Sequence, residues 1–312
     1  MAPSSNGTPD LAVSIGELAL KNPVLTASGT FGYGLEFADK LDLNSLGGVC
    51  VKGLSLKPRS GNKPPRIMET PAGMLNAIGL QNVGVEYFIN EYLPQLRRYD
   101  TAVIANIFGE TVEEYAAVAG ALDRAEGVAA VEINVSCPNV TKGGIAFGND
   151  PVMLKSVVRA VRDATRLPVI TKMTPNVTDI VLLAHAAVDG GSDALSLINT
   201  LLGMSVDIET RSPHLRNVVG GLSGPAIRPV ALRMVHQVYR ANLGVPLIGI
   251  GGITCAEDAI QFLICGAAAV QVGTANYIEP DAAVAICRGI SDYLERMGLG
   301  SVNELVGTLN LP

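Results

Sequence analysis

The segment Glu132-Ile133-Asn134-Val135-Ser136-Cys137-Pro138-Asn139 sets one cysteine just past an apolar run, in a loop rich in groups able to hold a polar heterocycle. In parallel α/β enzymes the loops after the strands carry the reactive groups. Cys137 is therefore the expected centre of chemistry, and Cys50, Cys255, Cys265 and Cys287 lack its setting. Lys52 and Lys172 close two other apolar runs, where a cationic amine must meet an anion or suffer desolvation. Asn106 and Asn199 close two more, and Asn134 closes the run before Cys137. Each offers a donor and an acceptor, a set suited to the imide-like edge of a pyrimidine or a flavin. Gly251-Gly252 and Gly273-Thr274 follow the last two runs and can bring bare backbone N–H groups against a phosphate.

The elements that must position these groups recur down the chain. Short apolar segments at 23–27, 48–52, 102–106, 130–134, 168–172, 194–198, 246–250 and 268–272 read as parallel strands separated by amphipathic helical stretches. Alternation on this scale predicts a (β/α)8 TIM barrel, in which the loops after strands seven and eight commonly cradle a phosphate. Thr111 with Glu114 and Thr254 with Glu257 have capping-box spacing, and Thr254 would cap the helix behind the cradle. Asp150-Pro151 precedes Leu154, Val157, Val158 and Val161 at helical spacing. Residues 11–20 alternate around Gly16-Glu17, which predicts a short N-terminal hairpin closing the bottom of the barrel. Two connections, Gly53 to about Glu86 and Asn199 to about Pro225, are too long for turns and are expected as long loops over the catalytic face. The alternative architecture is an open doubly wound sheet, but Gly29-Thr30-Phe31-Gly32-Tyr33-Gly34 does not fit its GxGxxG fingerprint.

Composition narrows the function classes. Residues 1–10 read as a loose Ser/Gly/Pro/Asn-rich tail without a signal-peptide pattern, and 11–312 as a single barrel domain. A net charge of −6 with no Lys/Arg block disfavours nucleic acid and anionic membranes, and no apolar run reaches the roughly 18 residues of a span. Five scattered cysteines without a CxxC pair disfavour a disulfide framework or a metal site in this chain and suit a reducing cytoplasm. His185, His214 and His236 have no metal-binding spacing; His185 and His236 fall in helical patterns, and His214 falls in the second long loop.

From about Leu11 to the C-terminus the sequence resembles the catalytic subunit of class 1 dihydroorotate dehydrogenases, and within that class the NAD-dependent type 1B. The resemblance rests on Ala27-Ser28-Gly29-Thr30-Phe31-Gly32, the Asn134 to Asn139 segment, Gly143 to Gly148, Ile198-Asn199-Thr200, Gly220 to Ile227 and Val272 to Asn276. Its most specific match is Glu69-Thr70-Pro71-Ala72-Gly73-Met74-Leu75-Asn76-Ala77-Ile78-Gly79-Leu80-Gln81-Asn82.

That resemblance implies oxidation of dihydroorotate to orotate in pyrimidine biosynthesis, with Cys137 as the base for the C5 proton and FMN as the acceptor of the C6 hydride. It implies that Lys52 touches both flavin and substrate. Asn76, Ala77, Ile78, Gly79, Leu80, Asn134, Asn199 and Thr200 would hold the substrate ring. Lys172 would lie at the flavin N1 and O2 end, where a cation raises the reduction potential. Ser28, Gly53, Asn106, Asn134, Ile198 and Gly224 would line the flavin ring and ribityl chain, with Gly251, Gly252, Gly273 and Thr274 on its phosphate. A separate subunit bearing FAD and a [2Fe–2S] cluster would pass electrons to NAD in a heterotetramer built on a homodimer of this chain. The runner-up is a fumarate-linked type 1A enzyme acting as a homodimer. A dihydropyrimidine dehydrogenase module, a flavin-free lyase using Lys52 or Lys172, and a non-catalytic FMN-binding electron carrier lie further off.

Overall fold

The computed structural model describes residues 8–136, 138–139 and 145–312. Eight apolar runs form the strands Val24–Thr26, Gly48–Cys50, Ala102–Ile107, Ala130–Asn134, Val169–Met173, Ala194–Leu197, Leu247–Ile250 and Ala269–Val272. Each pairs in parallel with the next, and the eighth returns to the first, closing the expected barrel. The register sets Asn106 opposite Glu132, and Lys172 opposite both Asn134 and Ser196. The strands read as nearly continuous apolar runs because helices cover them outside and side-chain layers fill the barrel inside.

The helices on the outside follow their sequence signals, with two corrections. In Pro151–Ala164, Met153, Leu154, Val157, Val158 and Val161 are buried along one stripe, and the Asp150 carboxylate accepts from the Val152 and Met153 N–H groups. Such a cap contributes about 1 kcal/mol. Thr111 caps Val112–Asp123 by accepting the Glu114 N–H, but the Glu114 carboxylate turns to the Glu110 N–H, so the box is not reciprocal. Nor is Thr254 the cap of Ala256–Ile264. Cys255 holds that position, and the Thr254 N–H and hydroxyl both donate to Asp258, at 2.9 and 2.7 Å. Asp258 displaces the expected Glu257 because its carboxylate also pairs with Arg228. His185 and His236 lie in Ile180–Gly190 and Arg228–Arg240 as expected.

Val13–Ile15 and Leu18–Leu20 form the N-terminal hairpin around Gly16-Glu17. Its apolar face, Val13, Ile15, Leu18 and Leu20, is buried. A side chain at Gly16 would meet Asp193, the residue entering the sixth barrel strand, so the hairpin lies under the N-terminal end of the barrel.

The two long connections are more ordered than expected for loops. One contributes Ile67–Thr70 and Gly73–Asn76, the other Leu201–Met204 and Val219–Ser223, and the four strands pair as one antiparallel sheet with Gly221 opposite Asn76. Glycine is required at this junction, since a side chain at Gly73 would strike the Ser223 carbonyl. Among the described residues no helix is long and apolar enough to cross a membrane.

Candidate active site

Strand ends and the added sheet enclose two adjoining cavities that share Ser28, Thr30, Asn199, Thr200 and Ser223 as walls and so form one cleft. The narrower arm is bounded by Lys172, Ile198, Gly224, Gly251-Gly252 and Gly273-Thr274. The wider arm, of about 520 Å³, is bounded by Lys52, Gly53, the run Asn76 to Leu80, Asn106 and Asn134. The site residues expected from the sequence therefore converge on this cleft, with one exception that lies outside the described residues, Cys137. Its neighbour Ser136 lines the wider arm, a residue that sequence reasoning passed over.

Glycine keeps the narrow arm bare. Gly252 lies at φ 71°, and a Cβ there would come within 2.8 Å of the Gly224 carbonyl oxygen. Gly224 itself lies at φ 93°. Substituting Gly252→Ala is expected to cost about 1–2 kcal/mol from the left-handed backbone alone, read as a lower denaturant midpoint. An unchanged midpoint would show that the wall yields.

The wide arm is lined by polar groups already ordered among themselves. The Asn199 amide donates to Asn134 Oδ1 at 3.2 Å and to Ser136 Oγ at 2.8 Å, while Asn199 Oδ1 accepts the Thr200 N–H. Asn106 is committed differently: its amide nitrogen donates to Glu132 at 2.7 Å, so its carbonyl oxygen is turned towards Gly53. It presents an acceptor to the cavity rather than both functions. Lys52 borders this arm, half-buried. Burial, and then the positive charges of Arg66 and Lys172, hold its amine below the usual lysine range. The arrangement suits an anion supplied from outside the fold.

Lys172 has found its anion within the protein. Its Nζ lies 3.6 Å from Glu132 Oε1, and both residues are buried. Glu132 also accepts from Ser196 Oγ at 2.9 Å, Gln271 Nε2 at 2.7 Å and Cys50 Sγ at 3.3 Å. Sequence reasoning gave Glu132 no role, although a carboxylate inside a run buried on both faces was the available signal. His214 sits apart in the second long connection, its Nδ1 3.1 Å from Ser205 Oγ.

Known proteins resemble this chain over nearly its whole length. A family model described as dihydroorotate dehydrogenase matches residues 10–294. Proteins named dihydroorotate dehydrogenase B (NAD(+)), catalytic subunit, from Geotalea daltonii and Pelobacter propionicus are 58% and 60% identical over 303 and 301 residues. They cover 97% and 96% of this chain and 99% of each relative. A protein of the same name from Desulforudis audaxviator is 59% identical over 296 residues, 95% of this chain and 96% of its own.

Proposed function

Since this chain belongs to the dihydroorotate dehydrogenase family, we propose that it is a flavin-dependent catalytic subunit oxidising dihydroorotate to orotate, with NAD+ as the final electron acceptor. The observation that carries this reading is a single cleft with a bare glycine wall at one end and, at the other, Lys52 among ring-reading polar groups. Such a cleft suits a phosphorylated cofactor lying against a small anionic heterocycle.

FMN fits the chemistry of these walls. Gly251, Gly252, Gly273 and Thr274 would take its phosphate, Ser28, Gly53, Asn106, Asn134, Ile198 and Gly224 its ring and ribityl chain, and Lys172 its pyrimidine edge. When bound, FMN supplies the acceptor for the C6 hydride. The remaining steps belong to the chain's own side chains. Lys52 meets the substrate carboxylate, while Asn76 to Leu80, Asn134, Asn199 and Thr200 orient the ring. The Cys137 sulfur takes the C5 proton, helped by a thiol pKa ordinarily about 8.5 and thus partly ionised near neutrality. The four-stranded sheet over the mouth restricts water, which strengthens each charge contact beneath it.

Electrons leave through a partner subunit bearing FAD and a [2Fe–2S] cluster, in a cytoplasmic heterotetramer built on a homodimer of this chain. Support comes from the words "catalytic subunit" in the relatives' names and from exposed apolar side chains around the second long connection, Leu202, Met204, Val206, Ile208, Val218 and Val219. Apolar groups clustered on a surface mark contact with another protein. Steady-state assays test the route. The chain with dihydroorotate is expected to form NADH only when the iron–sulfur flavoprotein partner is added. Turnover with fumarate by the chain alone would replace this route with the type 1A one.

A further inference from the structure

Barrel interiors are filled by layers of four side chains from alternate strands, mostly branched and apolar. Beneath the cleft this protein breaks that pattern. Cys50, Glu132, Ser196 and Gln271 come from the second, fourth, sixth and eighth strands, and all four are buried. The Glu132 carboxylate joins them, accepting a hydrogen bond from each of the other three. Gln271 turns its amide nitrogen to Glu132 even though its own carbonyl oxygen is left without a partner among the described residues. Asn106 and Lys172, from the third and fifth strands, reach the same carboxylate and also border the cleft.

A buried carboxylate is costly unless paired and fully hydrogen-bonded, and this one is. Burial alone would drive the Glu132 carboxyl up, but Lys172 and the hydrogen bonds from Gln271, Asn106 and Ser196 outweigh it and hold it below the ordinary carboxylate value. Burial and the neighbouring Glu132 push the Cys50 thiol well above its ordinary value, so it remains a neutral donor. Among the described residues, the charged or titratable groups shown bearing on Lys172 are Glu132, Cys50 and Lys52, while the third, sixth and eighth strands contribute the uncharged Asn106, Ser196 and Gln271.

We propose that Glu132 is a positioning residue that holds Lys172 charged beside the flavin, so that two-electron reduction of the site takes up one proton, with no second proton needed on Lys172. The inference rests on the reading of the cleft as the flavin site. Without the Glu132 charge, burial favours the neutral amine, and Lys172 then gains a proton each time negative charge arrives on the cofactor.

The test is the midpoint potential of the bound flavin between pH 7 and 9 in the holoprotein, its Glu132→Gln variant and its Lys172→Met variant. Each proton taken up per two electrons gives a tenfold change in equilibrium constant per pH unit, or about 30 mV. The expected slope is about 30 mV per pH unit for the wild type, steepening to about 59 mV by pH 9 for Glu132→Gln, while Lys172→Met lowers the potential and keeps the shallow slope. A Glu132→Gln slope equal to wild type overturns the role of Glu132 while leaving the flavin site intact. A Lys172→Met potential equal to wild type overturns the assignment of the site itself, and the proposal with it. If Glu132→Gln does not fold, the double variant Glu132→Gln/Lys172→Met is compared with Lys172→Met. Equal slopes between pH 7 and 9 are expected, because each variant lacks the cation on which Glu132 acts, and a difference between the slopes overturns the proposal.

Discussion

Replacing Cys137 by serine is expected to slow anaerobic reduction of the flavin by dihydroorotate about 10²–10⁴-fold at neutral pH, the usual contribution of a positioned base, while the protein stays fully loaded with cofactor. A hydroxyl holds its proton far more tightly than a thiol, so at pH 7 the variant lacks an ionised base. The groups that would hold ring and phosphate, Asn134, Asn199, Gly251 and Gly273, are untouched by the change, which is why flavin retention should not follow the rate. Stopped-flow traces at the flavin band measure the step directly. A near-wild-type rate at neutral pH would remove Cys137 from the chemistry, and loss of flavin would recast it as a structural residue.

Lys52→Met should separate binding from stability. Charge-assisted hydrogen bonds are worth about 1.5–3 kcal/mol, so affinity for dihydroorotate or orotate is expected to fall roughly ten- to hundredfold. Stability of the substrate-free protein should hold or rise. Burial, then Arg66 and Lys172, lower the Lys52 value in the fold. The unfolded chain therefore binds its proton more tightly than the native state does. The charged amine thus costs the empty fold stability at neutral pH, and that cost fades as pH rises through the depressed folded value towards the unfolded one. For the wild type the same shift predicts that substrate affinity is lost with rising pH earlier than a free lysine would allow. Orotate titrations and denaturant midpoints, with and without the substitution, check both halves. Unchanged affinity would show that Lys52 does not meet the substrate.

The barrel was legible because each strand is buried on both faces and so reads as a nearly continuous apolar run. Its rim was legible for the same reason: Lys52, Asn106, Asn134 and Lys172 stand out against what precedes them. The sheet over the mouth was not. Its strands are four or five residues long and carry Gly73, Gly203, Gly220 and Gly221, so β-forming side chains are few, and Asn76 finds Gly221 only across the whole barrel. The role of Glu132 was hidden for a related reason. Cys50, Ser196 and Gln271 are distant in sequence and meet it only when alternate strands close the barrel. The misplaced cap at Thr254 has a different origin, since the spacing rule could not foresee that the Asp258 carboxylate, also paired with the distant Arg228, would take the Thr254 N–H and hydroxyl.

The most direct measurement is the visible spectrum of the purified chain, with oxygen excluded, before and after adding dihydroorotate. A flavin band from FMN is expected that bleaches on addition, with orotate formed in equal amount to the flavin and no partner required. A flavin band that persists in the presence of dihydroorotate would contradict the assignment of substrate and base together.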